Sequence, residues 1–273
     1  MLEHIKKIFL LMLLFISFCA GSSEQKNKIE IFEPIDVNGT KQWILVRGND
    51  ESKPVLLYLH GGPGQSLVPF AYKATEKLIN DFIVVYWDQR GAGLSFDKKI
   101  PEKTMTIDQF VKDTKTVTEF LKKKFEKEKI YLLGHSWGST LGTLVVQKYP
   151  EDYYAYIGVG QVVKPEEQER AGINWLKEIL QKERITDELK TIPLMEKRNF
   201  ANRVLIKKYG GTVHNISADE VKKIMNNSPY FPEKYNTDLY NDGLYFAMNL
   251  HMQVRKIDFF KTVPELKIPV YFF

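Results

Sequence analysis

KIYLLGHSWGSTLGTLVVQKYP, residues 129–150, passes from a short apolar run, through a glycine-flanked serine, into a second apolar segment that Pro150 stops. Ile130 to Leu133 reads as a strand buried on both faces, and residues 137 to 149 as a helix ended by the proline. Gly134-His135-Ser136-Trp137-Gly138 is therefore G-x-S-x-G placed between a strand and a helix. A serine in that turn takes a strained backbone conformation. Side chains two residues to either side of it would strike the neighbouring strand and helix, so both positions are glycine. Ser136 is the candidate nucleophile.

Outward from this turn the chain alternates strands and helices. IEIFEPIDV and KQWILVRG flank Asn38-Gly39, a strong hairpin signal. PVLLYLHGG and DFIVVYWDQRG are nearly continuous apolar runs, each entering a glycine-rich turn, and YAYIGVGQ is a further buried strand. A helix is expected within Pro69 to Asn80. Another starts at Thr106, where Thr106 and Gln109 fit a capping box and Ile107, Phe110, Val111, Val117, Phe120 and Leu121 recur at helical spacing. This alternation predicts an α/β fold with a mostly parallel sheet covered by helices on both faces. It breaks near Val162. Residues 162–262 are helical in composition, include the amphipathic segment Ile173 to Leu189, and read as an inserted helical cap on a core of residues 29–161. KIPVYFF, within 263–273, resumes the strand pattern.

Composition narrows the function. Lys and Arg number 39 against 34 Asp and Glu, a net charge of +5, but the basic residues are interleaved with acidic ones, as in KKKFEKEK at 122–129. No basic stripe for nucleic acid is present. At the N-terminus, Lys6 and Lys7 precede an uncharged run from Ile8 to Ala20 that ends in small residues, the pattern of a signal peptide over residues 1–20 and hence of export. The run is short for a spanning helix, which needs about 20 residues. Cys19 stands where a lipoprotein signal would carry its lipidated cysteine, ahead of the polar tether 21–28, although Phe18 replaces the small residue preferred before it. The readings are a cell-envelope lipoprotein or a freely secreted product, with membrane contact only through such an anchor or an uncleaved signal. A single cysteine allows no internal disulfide and no cysteine-based zinc site.

Acyl transfer at Ser136 needs N–H donors aimed at the developing oxyanion. The backbone of Trp137, at the helix start, is one; Gly62 in the loop His60-Gly61-Gly62-Pro63-Gly64 is the other, since small residues there let a carbonyl approach closely. Gln161, ending a buried strand at its C-terminal edge, is expected near the substrate. HGGPG at 60–64, DQRGAGLS at 88–95 and GHSWGST at 134–140, in this order, resemble the α/β-hydrolase superfamily and specifically the prolyl aminopeptidase (proline iminopeptidase) family, over about Pro54 to Val163. The chain departs from the family pattern at Gln65 and His135. The resemblance implies a serine hydrolase with no metal or organic cofactor that removes N-terminal, proline-type residues from short peptides. It makes Asp88 and Arg90 structural, and has cap carboxylates hold the substrate's free amino group, with Glu166, Glu167, Glu169 and Glu178 as candidates.

A serine nucleophile also needs a histidine to take its proton and a carboxylate to orient that histidine, in the chain order Ser, acid, His. After Ser136 only His214 and His251 remain, both in the cap segment; His60 and His135 belong to the loop and the turn, and His4 to the signal. The resemblance places the triad aspartate just past KIPVYFF and the histidine further on, so both are expected beyond the sequence, in a missing part of the core. The rival readings are an esterase or lipase on the same fold and a catalytically dead, ligand-binding lipoprotein. Epoxide hydrolase and dehalogenase chemistry is disfavoured because those enzymes carry aspartate where Ser136 stands.

Overall fold

The computed structural model describes residues 28–211, 216–230 and 237–273. The expected signal, Cys19, the tether through residue 27 and His214 lie outside the described residues. Strands β1 (Ile29–Val37) and β2 (Thr40–Gly48) form an antiparallel hairpin with Val37 opposite Thr40. At its turn Asn38 and Gly39 have φ of 43° and 80°, the two positive values that a two-residue type I′ turn demands and that Asn-Gly supplies.

Strands β3 (Val55–Leu59), β4 (Ile83–Trp87), β5 (Ile130–His135), β6 (Tyr153–Val159) and β7 (Val270–Phe272) complete a seven-stranded sheet in the order β1-β2-β4-β3-β5-β6-β7. β2 meets β4 antiparallel, and the pairings from β4 through β7 are parallel. Alternation along β4 divides the core between two faces. Ile83, Val85 and Trp87 pack with α2 (Ile107–Lys124) and α3 (Trp137–Lys148), whereas Val84 and Tyr86 pack on the other face with Val68, Ala71 and Tyr230.

Two local expectations come out differently. The helix expected within 69–80 is a single turn, α1 (Ala71–Ala74), between 3-10 turns at Val68–Phe70 and Leu78–Asn80. Buried Thr75 leaves the helical region at φ −130°, ψ 26°, and its hydroxyl turns back to the Ala71 carbonyl, competing with continuation. At the start of α2, Thr106 accepts from the Gln109 N–H, but the Gln109 amide does not return to Thr106; it donates to Asp113 at 2.8 Å. Only half of the capping box is formed.

Between β6 and β7 the described residues are helical: α4 (Pro165–Lys182), α5 (Thr186–Leu189), α6 (Ile192–Arg198), α7 (Arg203–Lys208), α8 (Ala218–Asn226), α9 (Thr237–Phe246), α10 (Met248–Val254) and α11 (Phe259–Thr262). The amphipathic segment Ile173 to Leu189 is therefore not one helix. α4 ends at Lys182, and Arg184 at φ 57° redirects the chain into α5. Ile173, Leu176 and Leu180, one stripe of α4, pack with Ile192, Met195, Ala201 and Ile206 as a separate small core. None of the described helices is long and apolar enough to cross a membrane.

Candidate active site

Strand register brings the two glycine-rich segments together. β3 and β5 lie side by side with Leu59 opposite Gly134, so the residues that follow each strand leave the sheet as neighbours. A Cβ on Gly61 would lie 3.3 Å from the Ser136 Cβ. Ser136 itself sits at φ 54°, ψ −119°, a conformation costing about 1–3 kcal/mol in a non-glycine residue. The surroundings impose it. The Ser136 N–H donates to the Val159 carbonyl at 3.0 Å, and its own carbonyl accepts from the Ser139 N–H and hydroxyl at 2.8 and 2.6 Å.

The glycines on either side are sterically required. A Cβ on Gly134 would stand 2.3 Å from the Gly138 carbonyl oxygen, and one on Gly138 would stand 2.1 Å from that of Leu59. Both distances are far inside van der Waals contact, so the helix can approach the strand only with glycine at each position.

Ser136, Trp137 and Gly62 line one cavity of about 1130 Å³ between the sheet edge and the cap. Trp137 is the first residue of α3, whose N–H has no partner within the helix. Gly62, at φ 112°, could not carry a side chain, because a Cβ would fall 2.8 Å from the N atoms of Gly64 and Gln65. The loop is backed by the cap, where a Cβ on Gly64 would meet the Gly243 carbonyl oxygen at 2.3 Å.

Gln89 ties the loop to the turn, a role its sequence position does not announce. Its side-chain oxygen accepts from the buried Trp137 indole at 2.9 Å, and its side-chain nitrogen donates to the His60 carbonyl at 3.2 Å. The Gln89 backbone N–H donates to His60 Nε2, so the neutral ring carries its proton on Nδ1 and gives it to the Gly61 carbonyl at 2.8 Å. Burial pushes the His60 pKa down to about 4 against the opposing effect of that carbonyl. His60 is thus a brace held in its neutral form.

Asp88 and Arg90 are structural, in keeping with the role the resemblance implies. Asp88 accepts from the Ser66 hydroxyl and from the Leu94 N–H. Arg90 forms a two-pronged buried pair with Asp113 at 2.6 and 2.9 Å, and Asn38, Gln42 and Gln109 also donate to Asp113. Gln161 is not at the cavity. Its amide nitrogen reaches Thr143 Oγ1 and the Val162 carbonyl, and its oxygen accepts from Tyr156, so the side chain turns inward beneath the turn.

Among the described residues His251 is the histidine that shares the cavity with Ser136. Partial burial lowers its pKa despite a hydrogen bond to the Pro63 carbonyl. No hydrogen bond joins the Ser136 hydroxyl to a histidine or carboxylate among the described residues. Of the four cap glutamates named as candidates, Glu169 alone lines the cavity, and both its oxygens are engaged, one by the Ala201 N–H at 2.9 Å and the other by Arg203.

A G-x-S-x-G turn between a parallel strand and a helix, with helices over the C-terminal sheet edge, is the arrangement of an α/β-hydrolase. Residues 50–264 match the family model described as serine aminopeptidase, S33, and the chain belongs to that family. It is 43% identical over 155 residues to the probable aminopeptidase YbaC of Bacillus subtilis (strain 168), covering 57% of this chain and 49% of that one. The chain spans about half or less of the length of the curated relatives it matches. Among solved structures, the proline iminopeptidase of Mycobacterium smegmatis superposes with a TM-score of 0.59 at 16% identity, covering 89% of this chain and 80% of that one. An epoxide hydrolase from Bacillus megaterium gives 0.53 at 22%, with 88% and 81% covered. Identities this low establish the shared fold alone.

Proposed function

We propose that the protein is a serine aminopeptidase that releases the N-terminal residue, proline-type by resemblance, from short peptides through an acyl-enzyme on Ser136. The observation that carries this reading is the Ser136 backbone, strained at the head of α3 and opening into a cavity beside Gly62 and Trp137. In the first step Ser136 Oγ attacks the carbonyl carbon of the first peptide bond. The Gly62 and Trp137 N–H groups hold the oxyanion, the C–N bond breaks, and the amine leaves with the proton the serine gave up. Water then cleaves the ester and restores the hydroxyl. The proton acceptor follows the class rule of a histidine oriented by an acid.

Labelling with a fluorophosphonate tests the reading, because an activated Ser136 displaces fluoride to form a stable phosphonate ester. Labelling of the wild type that disappears in Ser136→Ala, with loss of proline-arylamide turnover, supports it. A wild type that does not label refutes it. Faster turnover of esters lacking an amino group than of aminoacyl amides would transfer the site to an esterase. Export, as a lipoprotein through Cys19 or as a free product, is part of the same proposal and rests on the charge and hydropathy pattern of residues 6–28.

A further inference from the structure

The cavity is charged in the opposite sense from one built to hold a substrate's ammonium group. Among the described residues, Arg198, Arg203 and Arg255 line it against the one carboxylate of Glu169. That carboxylate is taken up by Arg203 and by the Ala201 N–H. Arg198 and Arg255 pair with no carboxylate among the described residues. Arg255 is also held in place. The Asn199 side chain donates to the Glu166 carbonyl at 3.0 Å, Arg255 donates one N–H to the Asn199 carbonyl at 3.0 Å, and the Arg255 guanidinium lies over the Phe200 ring at 5.2 Å. Arg255 keeps its remaining donors for a ligand. Phe200, Tyr245, Met248 and Met252 add an apolar wall.

A fixed guanidinium recognises a carboxylate through paired, charge-assisted hydrogen bonds. We propose that Arg198 and Arg255 bind the free α-carboxylate of a short peptide, so that the substrates are dipeptides with apolar side chains and an unblocked C-terminus, anchored from the leaving-group end. A cavity of about 1130 Å³ has room for such a ligand. This inference rests on the cavity being the peptide site proposed above, and its test reads binding separately from catalysis.

Calorimetry on the Ser136→Ala protein with prolyl-leucine and leucyl-leucine, each as the free acid and as the C-terminal amide, makes the comparison without any arginine variant. The acid is expected to bind about tenfold tighter or more, with the advantage shrinking at high salt. In the combined Arg198→Gln and Arg255→Gln protein, with its fold checked by circular dichroism, the acid-to-amide ratio falls toward one. Equal affinity for acid and amide, or binding of neither, overturns the proposal. Failure of fluorophosphonate labelling alongside a preserved acid preference would instead overturn catalysis by Ser136 and leave the carboxylate site standing.

Discussion

Replacing Gln89 by leucine tests whether one side chain holds the two halves of the site in register. Leucine is close in size and leaves little cavity, but it can neither accept from the Trp137 indole nor donate to the His60 carbonyl. Trp137 is 2% exposed and His60 likewise 2%, so water cannot readily replace either bond. Each buried group left without a partner costs about 1–3 kcal/mol, which puts the loss at roughly 2–6 kcal/mol for the two. Urea unfolding followed by tryptophan fluorescence measures it. The functional consequence is separate. Gln89 sits between the loop carrying Gly62 and the turn carrying Ser136, and a misplacement near 1 Å at such a site costs about a hundredfold in rate. Fluorophosphonate labelling of Gln89→Leu should therefore slow by ten- to a hundredfold under conditions where the protein remains folded. A destabilisation under about 1 kcal/mol with an unchanged labelling rate would show that the loop and the turn are positioned without Gln89.

Asp113→Ala should destabilise the protein by about 3–5 kcal/mol, because it leaves Arg90, 2% exposed, buried without its counter-charge. Adding Arg90→Met should recover much of that loss in urea unfolding, and a double variant no more stable than the single one would contradict the reasoning. The pH dependence follows from His60. Its folded pKa of about 4 lies below the ordinary value near 6.5, so in that interval the unfolded chain takes a proton that the native ring refuses. Stability is complete above about pH 6.5 and falls as the pH drops toward 4, by about 3 kcal/mol, and His60→Gln should flatten the fall. Asp152 acts in a lower window. Burial raises its pKa, but hydrogen bonds from Lys115 and Lys122 outweigh this and lower it, so its contribution is lost only in more acidic solution.

The parts of the fold legible in the sequence are those in which one local constraint leaves a single solution. Asn38-Gly39 demanded a type I′ hairpin, the apolar runs demanded buried strands, and Gly134 and Gly138 demanded a strand and a helix too close for any Cβ. What stayed hidden depends on partners distant in the chain. Gln89 stood in plain view within DQRGAG, but its worth comes from Trp137, 48 residues away, and His60, 29 residues away. Gln161 was placed near the right strand end and still turned inward, because the hydroxyls of Tyr156 and Thr143 satisfy its amide below the turn. The cap stayed unreadable for the same reason. Glutamates on a helix look equally available in sequence, and only the packing of α4 against the segment 198–203 reveals that Glu169 is already spoken for while two arginines are not. Pairings across the cap thus decide which of its charged side chains remain available. A glutamate already hydrogen-bonded to its own domain has little left to offer a substrate, whereas an arginine with donors to spare does, and that difference directs the carboxylate proposal to Arg198 and Arg255.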